Sequence, residues 1–187
     1  ERQGIRCVDV RRVSGHLTDN YNPSNDVLSL SDSTYNGSDI ASLAVAAHEC
    51  GHAVQKHTGS FLMTLRSILV PVTNIGSMLA VPVAVIGVIL SFLIRSSEVP
   101  EIIIAIGIVL YSLTTIFALV TLPVEIDASR RALGMLSSSG VLNDRELSQA
   151  RKVLTAAAMT YVASLVVSLL YLLRFILLIS MFKRRDD

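Results

Sequence analysis

From Ile75 to Ile94 and again from Ile102 to Leu122 the chain runs without a single formal charge. About twenty helical residues cross the hydrocarbon core of a bilayer, so the pattern predicts two membrane helices, joined by the polar hairpin Arg95–Glu101. Pro82 is placed to kink the first of them. A third run, Ala156 to Leu173, is long enough to span; Arg174 follows it, and Phe175 to Phe182 is apolar again before Lys183-Arg184-Arg185. Arg174 either snorkels to the interface from a longer span or faces a partner within the bundle.

The polar segments read differently. Ile5 to Val13, His16 to Tyr21 and Val27 to Leu30 mix β-branched and polar residues around the turn cluster Asn22-Pro23-Ser24-Asn25, which predicts two or three short strands with a hairpin. After Asn36-Gly37, Ser38 or Asp39 can cap a helix from Ile40 to about Lys56, ended by Gly59 and apolar on most of its circumference, hence buried. From Leu122-Pro123 the stretch VEIDASRRALGML has helical periodicity and closes at Ser137-Ser138-Ser139-Gly140. Asn143 with Glu146 forms a capping box for the next helix.

Composition agrees with a membrane protein. Of 187 residues, 51% are hydrophobic and 17% charged, against about a quarter charged in soluble domains, and the mean hydropathy is +0.57. Sixteen basic against fifteen acidic residues leave a net charge of +1, too balanced for a nucleic-acid binder. Cys7 and Cys50 are read as free thiols, because one bridge cannot make a disulfide framework. The chain opens on Glu1 without a signal-peptide pattern, as expected of a piece of a longer protein. The expected fold is mainly α and integral to the membrane, with about three transmembrane helices and a small α+β zincin-like portion carrying the motif described next. Residues 1–66 form that extramembrane portion. Residues 67–187 form the membrane helices, with the polar helical segment 123–155 supplying a metal ligand.

The chemistry lies in His48-Glu49-Cys50-Gly51-His52, the HExxH pattern, inside the predicted helix. At about 100° per residue, His52 falls some 40° round from His48 and Glu49 about 100°, so all three project from one arc. Two imidazoles one turn apart can bind one Zn²⁺, and Glu49 then stands beside the open position, able to take a proton from water attacking a peptide carbonyl. The bland alternative is a buried helix with two satisfied histidines and a salt-bridged glutamate. Against it stand the uncharged flanks Val45-Ala46-Ala47 and Ala53-Val54, where unpaired buried charge is expensive. The small residues Ala44, Ala47, Gly51 and Ala53 also leave room for a metal and a neighbouring helix.

A catalytic zinc site takes three protein ligands. Thr58 stands where a metzincin would have its third His, and His57 lies about 140° from His52 round the helix. Glu125, just beyond Pro123 at the end of the second span, returns to the motif's side of the membrane after two crossings. Asp127 lies about 200° from it and is spaced to pair with Arg130 or Arg131, so Glu125 is preferred as the third ligand.

The segments HLTDNYNP, LSLSDSTYNG, AVAAHECGHAVQ and TLPVEIDASRRAL together resemble the membrane-bound neutral zinc metallopeptidases of the YugP type, over nearly the whole chain. The resemblance implies Zn²⁺ on His48 and His52, Glu49 as catalytic base, and a membrane helix upstream of Glu1. More distantly the arrangement is similar to HtpX-like and CAAX-prenyl-protease-type peptidases, in which the third ligand opens an ExxxD motif. That glutamate maps to Glu125, and the Asp position holds Ser129. Ser129 can hydrogen-bond around the site but supplies no carboxylate.

Arg130 and Arg131 can anchor lipid headgroups or hold a substrate carboxylate, and Leu28 and Leu30 offer a strand edge for peptide augmentation. Positive-inside counting sets Arg66, Arg130, Arg131, Arg145, Arg151 and Lys152 against Arg95 and Lys183-Arg184-Arg185, which leans to a cytoplasmic active site. The expectation is a multi-pass cell-membrane zinc metalloendopeptidase of gluzincin-like type, with Glu49 catalytic and His48, His52 and Glu125 on the metal. It would cleave membrane-associated polypeptides, with the lipid bilayer and no nucleic acid among its partners. The rival is a non-catalytic zinc-stabilised membrane scaffold.

Overall fold

The computed structural model describes residues 8–94 and 98–183. Ile5–Cys7, Arg95 and Arg184-Arg185, on which expectations above partly rest, lie outside the described residues. Strands β1 (Asp9–Val13), β2 (Asn20–Asn22) and β3 (Val27–Ser31) are followed by helices α1 (Asp32–Asn36), α2 (Ile40–His57), α3 (Phe61–Leu93), α4 (Val99–Ser139) and α5 (Asp144–Lys183). The chain divides into two compact units, Glu1–Leu65 with Thr121–Tyr161, and Arg66–Val120 with Val162–Asp187.

In the first unit the sheet order is β1-β3-β2. Leu28 faces Val10 across a parallel pairing and Tyr21 across an antiparallel one. The hairpin about Pro23 therefore forms, but β3 is the central strand. Leu28 and Leu30 present no free edge and are instead buried with Tyr21, Ala53, Met63 and Val124. The short helix α1, capped by Ser31, lies in the LSLSDSTYNG segment, where the sequence pattern predicts no helix.

Helix α2 starts where Asp39 accepts from the Ser42 amide, and every residue from Ser42 to Lys56 is at least partly buried. One flank meets the sheet through Ala53, and the other joins Ala132, Leu136, Ala150 and Leu154 through Ala44. Its last turn is pinned: the Asp26 carboxylate accepts from the Tyr21 hydroxyl and meets His57 Nε2 at 3.0 Å and Lys56 Nζ at 3.5 Å. Those contacts, the Tyr21 hydrogen bond first, hold the Asp26 carboxyl below its ordinary range. Gly59 turns the chain out of the helix at φ +70°.

The Asp39 cap yields a pH-dependent prediction. Its bonds to Ser42 depress the folded-state pKa below 3.8, so its contribution to stability is present above the unfolded pKa and lost as pH falls through the lower folded one. Asp39→Ala should lower the thermal midpoint at neutral pH. The gap to wild type should close below about pH 3.8, a trend that melting curves across pH would check.

Helices α3, α4 and α5 are each long and apolar enough to cross a membrane. In the second unit α3 and α4 approach through small residues: a Cβ on Gly107 would lie 2.8 Å from the Cβ of Ala84, the packing that membrane helices favour. Large apolar side chains such as Met78, Val109 and Leu170 point outward, as lipid-facing residues do. Helix α4 runs unbroken through Pro123, so the second span and the segment after it are one helix. The Asn143 capping box opens α5, with the Asn143 amide donating to Glu146 and the Glu146 amide donating back to Asn143.

Candidate metal centre

Two elements build the cluster. Helix α2 presents His48 and His52 one turn apart, their rings 4.8 Å between centroids and nearly perpendicular. Helix α4 presents Glu125, which is 1% exposed. His48 Nε2 lies 3.0 Å from Glu125 Oε2, and His52 Nε2 lies 3.5 Å from the same oxygen. These three residues offer ligand atoms all within 4.8 Å of one another and can hold a metal ion. Two imidazole nitrogens with one carboxylate oxygen are a donor set that suits zinc and leaves a coordination position open.

The opposite ring nitrogens are also engaged. His48 Nδ1 meets the Ser129 hydroxyl at 3.2 Å, and His52 Nδ1 meets the Gln55 amide oxygen at 3.0 Å. Ser129 thus takes up a ring contact at the position that resembles the ExxxD aspartate. Asp127 turns away from the cluster to pair with Arg131 at 2.7 Å, choosing Arg131 over Arg130. It also accepts from Gln55, a fully buried residue to which the sequence pattern gives no role.

Glu49 is buried at the same arc. Burial pushes its carboxyl above the ordinary glutamate range, and the Glu125 charge adds to this, while His52, His48 and the Tyr21 backbone oppose it. At His52 burial alone would lower the pKa, but the Glu125 hydrogen bond and the Glu125 and Glu49 charges raise it. Cys50 is a free thiol whose pKa is raised by burial and then by the Glu49 charge. His57 belongs to the Asp26 pin and His16 is exposed.

Three helices long and apolar enough to cross a membrane, together with a His/His/Glu cluster that can hold a metal, fit a membrane-integral metallopeptidase. The chain belongs to the family described as "Putative neutral zinc metallopeptidase", whose model matches residues 1–180, and zinc is accordingly its metal. It is 41% identical over 175 residues to the "Putative membrane protease YugP" of Bacillus subtilis (strain 168), covering 94% of this chain and 74% of that protein. No solved structure matches the chain.

Proposed function

We propose that the chain is a zinc metalloendopeptidase of gluzincin-like type, with His48, His52 and Glu125 as ligands and Glu49 as general base, acting on membrane-associated polypeptides. The observation that carries this reading is the convergence of two Nε2 atoms on one Glu125 oxygen, from residues 77 positions apart in the case of His48. Held by His48, His52 and Glu125, zinc would supply Lewis acidity that makes water a stronger nucleophile near neutral pH. Glu49, desolvated and hence a stronger base than a solvated glutamate, takes the proton from the attacking water and passes it to the leaving amine. The arginines and lysine of the motif's side favour a cytoplasmic site by the positive-inside rule.

Metal analysis of the detergent-solubilised chain tests the assignment. About one zinc per chain is expected, abolished by His48→Ala/His52→Ala and weakened by Glu125→Ala. A chelator should remove peptide hydrolysis and added zinc restore it. Zinc that survives loss of both histidines would sink the ligand set, and hydrolysis indifferent to zinc would sink the mechanism.

A further inference from the structure

Gln55 stands three residues beyond His52 on α2 and is 0% exposed. Its amide nitrogen donates to the Val124 carbonyl at 2.8 Å and to Asp127 Oδ2 at 2.9 Å, while its oxygen lies 3.0 Å from His52 Nδ1. A side-chain amide has two N–H donors and one carbonyl acceptor. Both groups at the nitrogen only accept, so turning the amide over would set its oxygen against two other oxygens, and a single orientation survives. The amide oxygen cannot donate, so His52 Nδ1 must carry the hydrogen. Nε2, 3.5 Å from Glu125 Oε2, is then the nitrogen whose lone pair is left for a metal.

His48 is held differently. Its Nδ1 faces the Ser129 hydroxyl, which both donates and accepts and so leaves the tautomer open. Asp127 is itself fixed by Arg131, so the chain of contacts Arg131, Asp127, Gln55, His52 runs from the outside of α4 to the metal position.

We propose that Gln55 is a positioning residue for zinc: clamped by Val124 and Asp127, it locks His52 in the Nδ1–H tautomer. This rests on the ligand assignment proposed above and adds that the two histidines are unequal, His52 locked and His48 only supported. Hydrogen-bond partners of this kind are worth about 10–100-fold in metal affinity.

Zinc dissociation constants, measured by competition with a chromophoric chelator on the full chain in detergent, test it beside the thermal midpoint of the metal-free protein. Gln55→Leu should weaken zinc about 10–100-fold, and Ser129→Ala should weaken it less. Gln55→Glu should also weaken it, because the new carboxylate faces the Val124 carbonyl and Asp127. Adding Asp127→Asn to Gln55→Glu turns one of the two opposing acceptors into an amide donor and should recover part of the lost affinity, a rescue that a mere space-filling role would not produce. Should Gln55→Leu fail to fold, the double variant decides. Affinity unmoved by Gln55→Leu, the reverse order for Ser129→Ala, or a folded double variant no better than Gln55→Glu would overturn the proposal. Zinc lost with His48 and His52 but indifferent to Gln55 would overturn the positioning role alone, whereas zinc indifferent to both histidines would overturn the ligand set beneath it.

Discussion

Glu49→Gln is expected to cut peptide hydrolysis by about 10²–10⁴-fold, the contribution of a positioned general base, with zinc content unchanged. The substitution keeps shape and removes the one property the mechanism needs, since an amide oxygen does not accept a proton at neutral pH. Glu49 is buried and desolvated, so neutralising it carries no solvation loss and the fold should hold. Turnover of a peptide by the purified variant, measured beside its metal content, checks both halves. Activity within a few-fold of wild type would remove Glu49 from the mechanism. A zinc-replete, folded but inactive variant would exclude the scaffold reading, because a structural metal site has no use for a base.

The second large effect is expected at Gly51. A Cβ there would lie 2.5 Å from the Ala128 carbonyl oxygen and 3.1 Å from that residue's Cα, both backbone atoms that cannot rotate aside. Overpacking of this kind costs about 1–3 kcal/mol, and the gain in helix propensity on leaving glycine returns about 1 kcal/mol, so Gly51→Ala should destabilise and Gly51→Val more. Because Gly51 sits between His48 and His52, forcing α2 off α4 also spreads the histidines from Glu125, and zinc affinity should fall together with the thermal midpoint. Gly134→Ala is the matched control: it lies on α4 with nothing within 4 Å of the added Cβ, and should be neutral or slightly stabilising. Equal behaviour of the two glycines would refute the close approach.

Much of this could be read along the chain because local rules dominate there. The Asp39 cap, the turn about Pro23, the Asn143 capping box and three long apolar runs each depend on neighbours within a few residues, and each appears in the structure. The arc shared by His48, Glu49 and His52 is likewise set by helix geometry alone. Glu125 needed an argument from membrane crossings, and the structure brings it to both histidines. The role of Gln55 was hidden because it depends on Val124 and Asp127, 69 and 72 positions away. Its spacing of three from His52 on an otherwise apolar helix was the available signal. The central place of β3 was hidden for a related reason: a strand's alternation is the same at an edge and in the middle, and the partners β1 and β2 are short and irregular in pattern. The continuity of α4 was obscured by Pro123, which reads as a start signal but sits mid-helix, where its missing N–H removes only one backbone bond.

The pin made by Asp26 has a consequence for the cluster. A helix lying in a groove has two soft motions, sliding along its axis and spinning about it. His48 and His52 share an arc of about 40°, so spin is the motion that would carry both nitrogens away from Glu125 at once. By gripping Lys56 and His57 on adjacent positions of the final turn, a carboxylate carried on a β-turn works as a key in a keyway: it resists spin of α2 and so helps keep the two imidazoles aimed at Glu125.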